Sequence, residues 1–212
     1  MLSKPATYLA EEVAMLVPYI SSWSEEVALP AAVIQRGGRI AYADEALGER
    51  DRHGVLWRRV LSRPGQGEPQ FGQVHTPRQR HAQRKLLCQV CGGPADHNEA
   101  GTLWLVTDYR NDWSNWPERM ACSEPPICLR CARISIRVCP GLQRHGHAAF
   151  RVAHSELAGV YGIRYRPGPF RPIPTTDERI PFTDPDIRWT QASQLLRELH
   201  DCTAVDLEKD SR

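Results

Sequence analysis

Cys88-Gln89-Val90-Cys91-Gly92-Gly93 and Pro126-Ile127-Cys128-Leu129-Arg130-Cys131 are the two stretches that decide the fold, with 36 residues between Cys91 and Cys128. Two Cys-x-x-Cys pairs at this separation can converge to offer four thiolates in a tetrahedron, the arrangement of a structural zinc ion with no open coordination position. The spacing therefore predicts one structural Zn2+ held by Cys88, Cys91, Cys128 and Cys131. Disulfides fit less well, because the seven cysteines are an odd number and no secretory leader opens the sequence. Both features point to a reducing, cytoplasmic setting, where such pairs mean metal more often than disulfide. A redox dithiol and unrelated buried thiols are the competing readings. Cys122 could replace Cys128 in the shell, Cys139 with His145 and His147 could form a second site, and Cys202 has no assigned role.

The two halves differ. Gly92 directly after Cys91 allows the backbone a positive φ around a metal, which makes the first pair a knuckle. The second pair has no such glycine and runs into a helical pattern, with Ile127, Cys131, Ile134 and Val138 on one face and Pro140-Gly141 as its stop. Pro125-Pro126 and Glu124 precede it, as suits a helix start. Residues 102–107, between the pairs, are strand-like. Knuckle, strand, long loop and helix in that order resemble the treble-clef zinc finger family over residues 86–140; a zinc ribbon would carry a second glycine-bearing knuckle. Asp96-His97 beside the cysteines is also similar to the HNH endonucleases. That family places an Asp-His pair, an Asn and a helix His around a treble clef, implying a nuclease that holds a divalent ion. Here Asp96-His97 follows Cys91 too early, Ala132 stands where the helix commonly has His, and Asn111 or Asn115 matches the middle residue only loosely.

Outward from the zinc motif, residues 7–17 carry apolar positions 9, 13, 16 and 17 on one face, which predicts a helix ending near Pro18. Glu11 and Glu12 interrupt it, so it is neither a signal core nor a membrane span. Residues 31–43 read as a hairpin turning on Gly37-Gly38, and residues 54–61 as a strand. Residues 62–77, rich in Pro, Gly and Gln, read as a loop, and residues 78–87 as a basic helix. Beyond the zinc helix, residues 148–154 and 158–165 predict strands, 167–174 a proline-rich excursion, 184–199 an Asp-started helix, and 203–207 a short strand. Strands on both sides of the zinc motif need a common core, so the expectation is an α+β protein, mainly antiparallel strands with an embedded treble-clef-like four-cysteine module. Its parts are an N-terminal α+β part with the basic helix (1–85), the zinc module (86–140), and C-terminal strands and a helix on the same core (141–212).

The 212 residues carry a net charge of only +2, so composition does not announce a nucleic-acid binder. The basic residues are nearly all Arg, with Lys only at 4, 85 and 209, a bias that fits a high-GC bacterial genome. Two local clusters stand out. Arg78, Arg80, Arg84 and Lys85 lie without an acid among them, and Arg130, Arg133 and Arg137 form a stripe on the zinc helix; together they could track a phosphate backbone. The plainer reading is a pair of solvated helix faces. Trp113 and Trp116 could stack on bases, but covering the zinc core is the favoured reading.

A zinc held by four thiolates has no vacant position for catalysis. The expected function is therefore a zinc-stabilised binding or regulatory protein with a nucleic-acid or protein partner and no membrane. The alternative is a small bacterial tailoring-type enzyme with structural zinc and a small-molecule substrate. Its chemistry would come from Cys139 with His145 or His147, from Asp96-His97, or from His154 with a carboxylate. An HNH-like nuclease ranks third.

Overall fold

The computed structural model describes residues 17–209; the expected helix over 7–17 lies almost entirely outside them. The frame of the molecule is one pair of long antiparallel strands, β9 (His147–Arg166) and β11 (Thr190–Ala204), paired from Ala204↔Phe150 to Thr190↔Arg164. The free edge of β9 is shared by two strands: β7 (Gly101–Thr107) takes its first third and β10 (Ile173–Pro181) its last. The outer edge of β11 is divided likewise. The two-residue β4 (Leu56–Trp57) pairs parallel to Gln191 and Ala192, and β8 (Ala121–Cys122) antiparallel to Arg197 and Glu198. A short β6 (His97–Asn98) turns back on β7.

Helix α1 (Thr76–Lys85) closes the gap between β4 and β8 through side chains. The amide of Gln79, fully buried, donates to the carbonyls of Leu195 and Ser123 at 2.9 and 2.6 Å and accepts from Leu195 N at 2.9 Å, so it stands in for a strand. Gln83 extends this by donating to Cys122 O at 3.1 Å, while its own carbonyl accepts from Arg197. The Gln79 amide thus satisfies both backbone groups of Leu195 on β11, as burial requires.

The fold is α+β and mostly antiparallel, as expected, and the hairpin β2 (Val33–Arg36) to β3 (Arg39–Tyr42) turns where expected. Gly37 and Gly38 both adopt positive φ, 60° and 71°, which matches the right-handed twist of the flanking strands. Four sequence expectations are corrected. Residues 184–199 form a 3-10 turn (Ile187–Trp189) and then β11, not a helix. A bulge between Ala192 and Gln194 inserts a residue into β11, and a second irregularity at Leu196/Arg197 places its extra residue on β9; the buried positions Ala192, Leu195, Leu196 and Leu199 thereby lose a strict period of two and mimic a helical face. Within 62–77, residues of β5 (Pro69–Val74) form a strand after all, because β1 (Ser21–Trp23) supplies its partner. The two strands expected at 148–154 and 158–165 are one, β9.

Of the expected strand at 54–61, only β4 and a bridge from Val60 to Ala28 form.

β7 shows how the core is divided. Leu103 and Leu105 join a cluster with Cys88, Ile127, Cys131 and Ala149 on one face of the sheet. Trp104 and Val106, alternating with them, join Cys122, Phe150, Val152 and Leu199 on the other. Both faces of this strand are buried, which is why residues 102–107 read as a continuous apolar run.

Candidate metal centre

The knuckle is built by its own backbone. Cys88 N donates to Gly93 O at 2.7 Å and Gly92 N donates to Cys88 O at 2.9 Å, closing the turn at a Gly92 φ of 72°. A Cβ at Gly92 would also lie 2.9 Å from the Tyr19 ring, so the position requires glycine twice over. The second pair starts helix α2 (Leu129–Val138), with Cys128 as its N-cap residue and Ala132 N donating to Cys128 O at 2.9 Å. Three backbone bonds bring the halves together: Gln89 N to Pro126 O, Asp96 N to Ile127 O and Ile127 N to Leu103 O, at 2.9, 3.1 and 2.9 Å.

The result is a cluster in which the four Sγ atoms of Cys88, Cys91, Cys128 and Cys131 lie within 4.8 Å of one another. Four sulfurs at ~2.3 Å from a tetrahedral zinc stand ~3.8 Å apart, and Cys91 Sγ to Cys128 Sγ is 3.9 Å. Cys88 and Cys131 are buried, Cys128 is half-buried and Cys91 exposed, so the cluster sits at the rim of the apolar core. Burial pushes the Cys88 thiol up to about 11 and Cys131 further up. Cys91 is also desolvated, yet the Gly93 N–H and the neighbouring thiols hold it below the ordinary thiol value. Two thiols thus resist ionisation unless a cation shares the site, and the donor set fits a thiophilic divalent ion.

The remaining candidate residues are elsewhere. Cys122 lies on the opposite face of the sheet, its Sγ 3.4 Å from Glu124 O, and does not enter the cluster. Among the described residues, the four cysteines are the one group of three or more His, Cys, Asp and Glu ligand atoms so gathered; Cys139, His145 and His147 do not gather into a second. Asp96 pairs with Arg151, and His97 Nδ1 meets Thr102 Oγ1 at 3.1 Å, so both are engaged within the sheet. His154 lies 3.7 Å from Asp201, both exposed. Trp116 packs edge-on against Phe150 at 5.0 Å, on the face away from the cysteines, which corrects the expectation that it covers the zinc core. On α2, Ala132, Leu129 and Ile136 join Cys131 in the core, while Val138 is 39% exposed, so the buried face is rotated from the one expected.

The seven basic residues are not one surface. Arg78 is buried, and its guanidinium clamps Glu26 with two bonds of 2.6 Å while donating to Tyr19 O and Ser21 O. Arg133 donates to Leu207 O at 3.0 Å. Arg80 lies with its guanidinium 4.2 Å from the Trp57 ring centre. Arg84, Lys85, Arg130 and Arg137 are exposed. Burial removes Arg78 from a phosphate-tracking face; the acid that claims it is 52 residues away and no local pattern marks it. Among the described residues no helix is long and apolar enough to cross a membrane. Comparison of the chain with protein-family models, with curated proteins and with solved structures returns no match.

Proposed function

We propose that this is a binding protein stabilised by a structural zinc ion at Cys88, Cys91, Cys128 and Cys131, in a treble-clef-like module of knuckle, β7 and α2. The convergence of the four Sγ atoms within 4.8 Å carries this reading. Four like donors form a closed shell, so the ion's part is to tie the knuckle to the start of α2, and no catalytic step runs through it. A nucleic-acid partner would rest on Arg84, Lys85, Arg130 and Arg137 alone. Metal analysis of the purified protein tests the zinc reading: one zinc per chain is expected. Cobalt substitution should give a tetrahedral thiolate spectrum that added small anions leave unchanged. Absence of stoichiometric metal, or a cobalt spectrum that shifts with ligand, overturns it.

A further inference from the structure

A cleft of about 560 Å³ opens beside α1, lined by Arg50, Asp51, Arg52, His53, Arg80, Arg84, Leu157 and Phe182 among others. Its charges are not balanced. Arg50 is spent: it forms a bidentate pair with Glu45 and donates to the carbonyls of Ile40 and Gly54. Asp51 is spent too, accepting from His53 N, Val55 N and Trp57 Nε1 at 2.9, 3.2 and 3.0 Å. Arg80 has no hydrogen-bond acceptor and no ion-pair partner among the described residues, and its Nε is buried. Other half-buried or buried arginines are satisfied, Arg59 by Glu49 and Asp44, Arg164 by Glu178 and Asp184, and Arg197 by Gln83 O and Ser155 O.

Arg84, one turn on and likewise without a hydrogen-bond or ion-pair partner among the described residues, adds like charge at i+4. Burial and Arg84 together lower Arg80 to about 10, with Asp51 only partly offsetting them. An unpaired guanidinium pressed against Trp57 and aimed into a cavity is costly unless something arrives to pair with it. His53 and Phe182 stack at 3.8 Å and 12° along the wall, giving the cleft a flat, half-buried flank beside the charges.

We propose that this cleft binds the phosphate group of a small phosphomonoester, with Arg80 and Arg84 as its ligands, Arg52 at the mouth, and the ester's organic part against His53 and Phe182. A phosphomonoester carries ~−1.5 to −2 at neutral pH, which matches the two unpaired guanidiniums, whereas a carboxylate or a phosphodiester would neutralise only one. The proposal rests on reading the chain as a binding protein, but not on the zinc, which lies in another cluster.

The test is titration calorimetry of the full, metal-loaded chain at low ionic strength with adenosine 5′-monophosphate, inorganic phosphate, adenosine and a single-stranded oligonucleotide, with zinc measured in every sample. The monophosphate should bind more tightly than phosphate, adenosine should not bind, and added salt should weaken binding. Arg84→Gln, at an exposed position, and Arg80→Met, which keeps a stem against Trp57, should each weaken the monophosphate about tenfold. Arg80→Met should melt no lower than the parent, since it removes a half-buried charge that has no ion-pair partner among the described residues. Phosphate binding as tightly as the ester would overturn the ester assignment, and a tighter oligonucleotide would overturn the small-molecule one. No binding of either phosphate species, or unchanged binding in both variants with zinc intact, overturns the site itself; loss of zinc with retained binding would fault only the metal reading.

Discussion

Two lobes flank the long-stranded sheet, and they are held together by opposite chemistries. In the cysteine lobe, four thiols converge into a donor set that could hold a metal ion. In the N-terminal lobe, formed by β1, β5 and the start of α1, the staple is internal. The Glu26 carboxylate accepts from Arg78 and from the backbone N–H of Trp23 and Arg63, with His75 3.6 Å away. With zinc at the site as proposed, the first lobe depends on metal supply, and the second on pH and on the integrity of one buried pair. Tyr19 joins them. Its N–H donates to Val90 O in the knuckle at 2.8 Å, its carbonyl accepts from Arg78 at 2.7 Å, and its ring covers Gly92.

The largest expected effect breaks the metal side alone. Cys88→Ser or Cys131→Ser should abolish stoichiometric zinc and unfold the middle of the chain, because binding free energies of about 10–16 kcal/mol for such sites are folding free energy. Metal analysis and circular dichroism read this out, and full zinc retention with unchanged melting in both variants would remove the central claim. Next comes the ionic side. Glu26→Gln leaves the Arg78 guanidinium buried without its counter-charge and should cost about 3–5 kcal/mol in urea unfolding, with much of the loss recovered when Arg78→Met is added. If the single change costs nothing, the pair is not the staple described here.

Acid should act on the second lobe in a defined order. Burial raises the Glu26 carboxyl, but Arg78, the Trp23 and Arg63 N–H groups and His75 outweigh it and leave it at about 2, from 4.5. Its stabilisation is complete above 4.5 and is lost as pH falls towards 2. His75 is lowered from 6.5 by desolvation and by Arg78, so the unfolded chain takes up a proton below 6.5 that the folded one resists, and stability falls there too. Measured as a difference between parent and Glu26→Gln, which cancels thiolate protonation, the stability gap should close between pH 4.5 and 2. A gap that is flat across that window would rule out the ion pair as its source.

Smaller effects sharpen the boundary between the lobes. Gly92→Ala forces a side chain into positive φ against Tyr19 and should cost about 1–3 kcal/mol. Because Tyr19 also binds Arg78, its combination with Arg78→Met should be non-additive by about 0.5 kcal/mol or more in a double-mutant cycle. Strict additivity would mean that the lobes are independent. Cys202→Ser, distant from the thiol cluster, should leave zinc content unchanged.

The sequence by itself determined the features whose causes are local or chemically singular. Four cysteines in two spaced pairs, Gly92 where the knuckle turns, Gly37-Gly38 where the hairpin turns, and the apolar run of β7 each carry their reason within a few residues. The tertiary structure decided the rest, because those reasons are distant. Bulged pairing with β9 made a strand of residues that repeat like a helix, and β1 made a strand of the Gln- and Gly-rich stretch at β5. Glu26, far away in the chain, took Arg78 out of the basic helix, while Asp51 was consumed by its own loop and left Arg80 facing a cleft. A local pattern states what a residue can do; which charge meets which is fixed only when segments that are remote in sequence pack together.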